Sequence, residues 1–182
     1  MTSKKYMLII IAFTLIFLSC QLQSGDKLNI YNQSEEILKI GQMLDSLNLA
    51  AANSDYDKYF AFMSDDAVFI GTDASEYWRK PEFMKWAKPF FEKKKTWNFK
   101  AIERHIYFDK RNDIAWFDEL LNTQMKICRG SGVVKKIGEN WKIKQYVLSM
   151  TIPNSHTAEV VKTKAKTEDQ FIKNKIKSLE KK

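Results

Sequence analysis

Apolar residues follow a helical spacing in the first part of the domain and an alternating spacing in the second part. Ser34 can cap a helix that runs to about Asn53, because an apolar stripe recurs there at spacings of three and four, formed by Ile37, Ile40, Leu44, Leu47 and Ala51. Asp55 can start a second, short helix, and Pro81 suits the first turn of a third. Between these two helices, residues 67–70 predict a brief strand that ends at a glycine.

From Trp97 onward the apolar period changes to two, which predicts four strands: Trp97–Phe108, Ile114 to about Met125, about Ile127 to Ile137, and Trp141–Ile152. Polar segments between them can form hairpin turns, so the four strands are expected to be an antiparallel meander. In the first of them the apolar residues move from odd to even positions near Ala101, which predicts a bulge. Helices followed by strands predict an α+β fold, with helices packed in a curved antiparallel sheet.

The length and composition fit one domain with additional segments. The chain has 182 residues, of which 45% are hydrophobic and 29% charged, and its 5 Trp, 7 Tyr and 12 Phe can fill a sizeable core. Two cysteines exclude a disulfide framework, and the absence of a CxxC motif or a histidine cluster gives no basis for a metal site. We therefore expect neither a metal nor a cofactor.

The amino terminus has the features of an export signal. Lys4 and Lys5 precede an apolar stretch, Tyr6–Leu18, which is shorter than the ~20 residues that a membrane-spanning helix needs. The tetrad from Phe17 to Cys20 resembles a bacterial lipobox, in which Cys20 becomes the lipidated first residue of the mature chain. The alternative is an ordinary cleaved signal with an incidental cysteine.

The interpretation favours a lipoprotein, because a free exported cysteine directly after the apolar stretch otherwise needs another explanation. Gln21, not aspartate, follows the cysteine, which in a two-membrane cell predicts a periplasmic position on the outer membrane. The predicted organisation is then a signal peptide at 1–19, a tether at 20–33, a folded domain at 34–153 and a lysine-rich helical tail at 154–182.

The net charge of +8 is concentrated in that tail. From Asn154 onward there are eight lysines against four acidic residues, whereas the preceding domain is almost balanced. The high charge therefore does not indicate a nucleic-acid-binding face. The tail, expected to be helical from about Thr157 to Leu179, could be attracted to an anionic membrane or could simply be a solvated helix.

Several sequence segments together resemble the SnoaL-like domains of the nuclear transport factor 2-like superfamily. They are Val68-Phe69-Ile70-Gly71-Thr72-Asp73 with Glu76 and Trp78, Ala115-Trp116-Phe117, Arg129-Gly130-Ser131-Gly132-Val133, and Trp141-Lys142-Ile143 to Leu148-Ser149. The segments match in order and spacing over about residues 34–153. The resemblance implies a cystatin-like cone, in which a bent sheet wraps around helices and leaves a pocket at its open end. Because this fold hosts cyclases, isomerases, dehydratases and non-enzymatic binding modules, it does not define an activity.

The last predicted strand supplies the first candidates for the pocket. Its alternation places Trp141, Gln145 and Ser149 on one face and two lysines on the other, so the tryptophan face is expected to point inward. Gln145 and Ser149 would then be polar groups of the pocket. Many relatives have a histidine in this stretch, whereas Gln145 and Val147 cannot transfer a proton at neutral pH, which argues against conventional acid/base catalysis.

The two preceding strands supply the remaining candidates. Both faces of the Ile114–Met125 strand are partly apolar, so the inward carboxylate could be Asp118, which is preferred together with Trp116, or Glu119; either could instead form a cross-strand ion pair. The alternating glycines beside them could leave Arg129 and Ser131 facing the cavity, although a structural ion pair of the arginine is equally compatible. Trp78 is expected at the pocket rim. The five tryptophans, Trp78, Trp86, Trp97, Trp116 and Trp141, could line an aromatic pocket, although at least three of them are expected to be core packing.

Three functional hypotheses remain open. The leading one is a lipid-anchored domain that binds a small, partly apolar molecule in its cone without chemistry. The second is an isomerase, cyclase or dehydratase that uses Asp118 or Glu119 as its base. The third is an interaction module at the membrane that forms a homodimer through the convex sheet face, expected to include Tyr146 and Leu148.

Overall fold

The structure is a computed structural model, and it describes residues 33–181. The predicted signal peptide, the lipidation site Cys20 and nearly all of the tether lie outside these residues. The elements, in chain order, are α1 (33–52), α2 (Tyr56–Ala61), β1 (Met63–Ile70), β2 (Tyr77–Arg79), α3 (Lys80–Glu92), β3 (Lys100–Phe108), β4 (Ile114–Thr123), β5 (Lys126–Ile137), β6 (Asn140–Met150), a 3₁₀ turn (Asn154–His156) and α4 (Thr157–Leu179).

The six strands form one curved sheet in the order β2-β1-β6-β5-β4-β3. Strands β3 to β6 are the meander that the sequence predicts, and the α+β class is confirmed. The sheet is completed by β1, which pairs in parallel with β6, and by the three-residue strand β2. The alternation did not predict β2 because three residues are too few to show a period.

The bulge predicted in β3 is present. The pairing register of β3 with β4 shifts between Ala101 and Glu103, so one strand carries an extra residue at this point. A second change of phase, which the sequence did not predict, occurs in β6. Ile143 and Tyr146 are both buried, whereas the two residues between them are not, so the inward face moves from odd to even positions.

The core lies between the helices and the concave face of the sheet. The apolar stripe of α1, apart from Ile37, is buried against inward residues of the strands, which include Phe117, Leu121 and Ile143. The short α2 begins at Asp55, whose side chain accepts the backbone N–H of Lys58 at 3.2 Å. Helix α3 has a proline in its first turn, and Glu82 accepts the N–H of Arg79 at 2.8 Å.

Residues 33–149 and residues 150–181 belong to two separate compact units. The second unit consists mainly of α4, whose bounds agree with the predicted tail helix. Its apolar residues, among them Val161, Ile172 and Ile176, are half exposed. Within the described residues, no helix is both long enough and apolar enough to cross a membrane.

Candidate functional site

A partly open pocket of about 180 Å³ lies at one end of the curved sheet. Its wall is predominantly aromatic and is completed by two apolar and four small or polar residues: Phe69, Trp78, Phe83, Trp86, Trp97, Phe99, Met125, Leu148, Gly71, Thr72, Glu76 and Gln124. Among the described residues that line it, none is basic. The pocket can therefore enclose a small apolar group beside a single carboxylate.

Several elements bring these side chains together. Phe69 and Trp78 are cross-strand neighbours on β1 and β2, Phe83 and Trp86 are one turn apart on α3, and Leu148 is on β6. Trp97 and Phe99 lie in the segment before β3. The β4–β5 turn carries Met125, whose backbone N–H donates to the Thr123 hydroxyl at 2.9 Å. The wall thus depends on elements that are far apart in sequence, and forms only when the domain folds.

The aromatic wall is built of closely packed rings. Phe83 is fully buried and stacks on Phe69, with 4.1 Å between ring centroids and 12° between planes. Trp78 stacks on Phe83 at 5.6 Å and contacts Trp86 at 4.7 Å. Trp86 is 40% exposed, so its ring remains accessible at the mouth. Ring packing fixes this wall, which limits the entropy lost when a ligand binds.

The rim of the pocket is the loop at residues 71–76, which joins β1 to β2. Hydrogen bonds within the loop hold it, among them those from Gly71 N–H to the Glu76 carbonyl at 2.9 Å and from Asp73 N–H to the Glu76 carboxylate at 3.2 Å. A Cβ on Gly71 would lie 2.1 Å from the Glu76 carboxylate oxygen. The absence of a side chain at Gly71 is therefore what allows this carboxylate to lie against the backbone at the rim.

A second group of charged and polar side chains comprises Glu119 and Tyr146, which are buried, Arg104, which is mostly buried, and Asp45, whose side chain is 66% exposed at the edge of the group; we call it the buried tetrad after its centre. Arg104 donates Nε–H to Glu119 Oε2 at 2.8 Å and Nη2–H to Asp45 at 2.8 Å, and its Nη2 also forms an ion pair with Glu119 Oε2 at 2.8 Å. The Tyr146 hydroxyl donates to Glu119 Oε1 at 2.9 Å. Glu119 is only 1% exposed, so its charge is matched inside the protein and not presented to the pocket.

Electrostatics within the tetrad follow from burial and pairing. Burial disfavours the charged guanidinium of Arg104, but hydrogen bonds to Asp45 and to Glu119 outweigh burial and raise its pKa. Burial, together with the neighbouring Glu119 carboxylate, raises the pKa of the Tyr146 phenol well above its ordinary value. Arg104 therefore stays charged, and Tyr146 stays a neutral hydrogen-bond donor.

Glu119 is thus the inward carboxylate of β4, and the preference for Asp118 was wrong in orientation. Asp118 lies on the outer face, 44% exposed at its side chain, with its Oδ1 3.1 Å from Nδ1 of His105. Trp116 shares that face, is 46% exposed and stacks on Tyr107. Both faces of β4 carry apolar residues, so alternation alone could not choose between them.

Arg129 and Ser131 also point away from the cavity, contrary to expectation. They pair with Leu120 and Asp118 on the outer face of β4. The intervening glycines face inward, where a Cβ on Gly130 would lie 2.3 Å from the Tyr146 hydroxyl. A close approach at these glycines was predicted correctly, but the space is filled by protein atoms: the Tyr146 hydroxyl and Glu119 at Gly130, and the Phe117 ring and a backbone carbonyl at Gly132.

Gln145 and Ser149 were expected in the pocket, but the phase change in β6 leaves both of them exposed on the outer face. The same change turns Tyr146 and Leu148 inward, where both are buried, so neither can belong to a convex interaction surface. Trp78 does lie in the pocket wall. The sequence offered Trp86 and Trp97 as pocket aromatics, but gave no signal for Phe99, Gln124 or Met125, which tertiary folding brings to the wall.

The curved sheet that encloses helices and leaves an aromatic pocket at one end defines a cone of the nuclear transport factor 2-like class. Residues 40–153 match the SnoaL-like domain family. This match spans most of the chain, and the protein belongs to the SnoaL-like domain family. A comparison with curated proteins finds no match.

Solved structures of the same fold are distant in sequence. A nuclear transport factor 2-like protein of unknown function from Pseudomonas putida KT2440 has 13% identity and a TM-score of 0.56, covering 66% of this chain and 90% of its own. A cystatin-like-fold protein from Caulobacter vibrioides has 10% identity and a TM-score of 0.58, covering 70% and 97%. A candidate dehydratase of the nuclear transport factor 2-like family from Streptomyces avermitilis has 10% identity and a TM-score of 0.58, covering 66% and 99%. At these identities the likeness shows the fold alone.

Proposed function

We propose that this protein is a lipid-anchored SnoaL-like domain that binds a small, partly apolar molecule in its aromatic pocket without transforming it. The observation that carries the proposal is the pocket of about 180 Å³, walled by stacked rings and open at a rim with few polar groups. A cavity of roughly 150 Å³ suffices for a benzene molecule, so a ligand of about one ring or a short branched chain fits. Concave, mostly apolar sites with a few polar groups are typical ligand sites.

The acid/base alternative loses its two proposed bases. Glu119 is bound by Arg104 and Tyr146, and Asp118 pairs with His105 on the outer face. A general base must come within hydrogen-bond reach of the proton that it removes, and neither carboxylate lines the pocket. The binding hypothesis requires no such group.

The binding proposal is tested by filling the pocket. Met125 is half-buried in the wall and lies on a turn. Met125→Phe therefore places a larger side chain in the cavity, and so reduces its free volume, without replacing a core side chain. Ligand-observed NMR or calorimetry with neutral probes such as p-cresol and 3,3-dimethylbutan-1-ol should show binding to the wild-type protein and its loss in the variant. Ile137→Phe, at an exposed position on β5, is the matched control and should leave binding unchanged. Absence of binding by every probe would contradict the proposal.

The lipid anchor is supported by the sequence alone, through the apolar segment and the lipobox-like tetrad that ends at Cys20. Expression of the full chain in a bacterium with a clickable fatty acid should label the protein and place it in the outer-membrane fraction. Cys20→Ser should abolish the label, whereas Cys128→Ser, at the buried cysteine, should retain it. A labelled Cys20→Ser variant, or an unlabelled wild type, would contradict the anchor.

A homodimer through the outer sheet face is the second candidate, favoured by the half-exposed, stacked pair of Trp116 and Tyr107. If this surface associates, sedimentation of the soluble chain from residue 21 should show a dimer. Trp116→Lys should convert it to a monomer, and Leu38→Lys, at an exposed position on α1 away from this face, should not. A monomeric wild type across the accessible concentration range would exclude this interface.

A further inference from the structure

We propose that the preferred ligand of the aromatic pocket is a small organic cation of the methylated ammonium class. This inference rests on the proposed binding function, because it concerns the same pocket. It follows from three properties of the lining: the sign of its charge, its three tryptophan rings and the scarcity of side-chain hydrogen-bond acceptors.

The charge at the rim is negative. Glu76 is the charged residue in the pocket lining, and the described lining contains no lysine or arginine. Asp73 lies in the same loop, and its carboxylate, which accepts hydrogen bonds from the Ser75 side chain and backbone, has a lowered pKa. A ligand that enters past this loop meets a negative potential, which attracts cations and repels anions.

The aromatic wall stabilises a cation inside the pocket. The face of a tryptophan ring attracts a positive charge within about 6 Å of its centroid, and the attraction strengthens as water is excluded. Three tryptophans line this pocket: Trp78, Trp86 and Trp97. An isolated charge is costly to bury, so the aromatic faces and the Glu76 carboxylate are both needed to offset its lost hydration.

The hydrogen-bonding capacity of the pocket selects the type of cation. A primary ammonium carries three N–H donors, each of which needs an acceptor when water is removed. Beyond Glu76, only Thr72 and Gln124 contribute polar side chains to the lining, and both are exposed. A quaternary ammonium has no N–H donor and presents methyl groups to the rings, so it fits a wall with few acceptors.

The test compares choline with 3,3-dimethylbutan-1-ol, which has the same shape but carries carbon in place of the charged nitrogen. Calorimetry or ligand-observed NMR at low salt should give a dissociation constant about tenfold lower for choline than for the neutral alcohol. Ethanolamine, the primary ammonium analogue, should bind more weakly than choline. Met125→Phe should abolish the binding of both choline and the alcohol.

Glu76→Gln removes the charge while keeping the shape and the acceptor for the Asp73 N–H. It should weaken choline about fivefold and leave 3,3-dimethylbutan-1-ol unchanged, since only the cation senses the carboxylate. The matched control is Glu139→Gln, at an exposed position in the β5–β6 turn, outside the lining of this pocket, and it should change neither affinity.

The outcomes separate this inference from the binding function. If the neutral alcohol binds as tightly as choline, and Met125→Phe abolishes both, the cation preference is wrong and the binding function stands. If Glu76→Gln leaves the preference for choline intact, the proposal that the Glu76 carboxylate recognises the cation is wrong. If neither molecule nor the neutral probes bind, both proposals fail.

Discussion

The buried tetrad and the aromatic pocket each contain a carboxylate on the concave side of the sheet, but the two carboxylates differ in their partners and in their surroundings. In the tetrad, Glu119 is enclosed, receives one hydrogen bond each from Arg104 and Tyr146, and forms an ion pair with Arg104. At the pocket, Glu76 lies at the rim, half-buried, and accepts one backbone N–H in a lining without basic side chains among the described residues. Of the two carboxylates, only Glu76 lines an open pocket.

This difference separates a structural charge from a recognition charge. A buried charge whose partners come from the protein itself stabilises a particular arrangement of elements, because removing one partner leaves another uncompensated. A carboxylate beside an unfilled aromatic surface can instead be completed by a molecule from solution.

The largest expected effect is the loss of stability on removal of the central cation of the tetrad. Arg104→Met leaves Glu119 buried without its ion-pair partner, which should lower the free energy of unfolding by about 3–5 kcal/mol. Urea denaturation followed by circular dichroism measures this change.

Two variants control this measurement. Arg129→Met removes an arginine from the exposed outer face and should change stability by less than about 0.5 kcal/mol. The double variant Arg104→Met/Glu119→Leu should recover part of the loss, because no unmatched buried charge remains; Asp45 also loses its partner, but its side chain is 66% exposed. A loss below about 1 kcal/mol in Arg104→Met would show that the tetrad is not a buried ion-pair network.

A smaller loss is expected when the neutral member of the tetrad is changed. Tyr146→Phe keeps the ring, which stacks on Phe69 at 5.6 Å, but leaves Glu119 Oε1 without its hydroxyl donor. The free energy of unfolding should fall by about 1–3 kcal/mol. Tyr107→Phe on the outer face, where the tyrosine is 47% exposed, is the control and should have almost no effect. Equal effects in the two variants would show that the Tyr146 hydroxyl adds nothing specific.

At the pocket, the position of the charge can be changed without removing it. Gly71→Ala forces the Glu76 carboxylate away from the rim backbone, because the new Cβ would lie 2.1 Å from its oxygen. The preference for choline over its neutral analogue should fall severalfold. The new Cβ would also lie 3.0 Å from the Glu76 Cβ, so the rim loop has to shift slightly as well. Gly41→Ala is the control, because its nearest neighbour would be at an ordinary 3.7 Å. An unchanged preference for choline in Gly71→Ala would show that the position of the Glu76 carboxylate does not affect binding of the cation.

The sequence predicted the fold well because its signals are local or periodic. The stripe of α1, the bulge near Ala101 and the tail helix all follow from spacing within a single element. The choice between Asp118 and Glu119 depends on α1, since the Asp45 carboxylate and the Gly41 carbonyl hold Arg104 on the inner face. No period within β4 contains that information.

The errors on β6 have a similar origin. The two lysines on the opposite face correctly predicted that Trp141 points inward. The prediction then assumed that the alternation continues along the whole strand, whereas its phase changes between Ile143 and Tyr146. This change carried Gln145 and Ser149 to the outside, and it could be predicted only from the pairing of β6 with both of its neighbours. The pocket wall was partly predictable through its tryptophans, whereas Met125 depends on the conformation of the β4–β5 turn.

The smallest expected effect concerns an ion pair outside the cone. The hydrogen bond to Asp118 raises the pKa of His105 above its ordinary value of about 6.5, with a weaker contribution from the charge of Glu103. Because the folded pKa is raised, the stabilisation is fully present below the unfolded value and is lost as pH rises through the folded pKa. An NMR titration of the His105 ring should show the raised pKa, and Asp118→Asn should lower it toward the ordinary value. Glu139→Gln should leave the titration unchanged, and a wild-type His105 that titrates at its ordinary pKa would contradict the pair.

Because this pair is exposed, added salt should weaken the shift in the pKa of His105, whereas the destabilisation by Arg104→Met should persist. Salt dependence therefore distinguishes an outer-face contact from the buried tetrad.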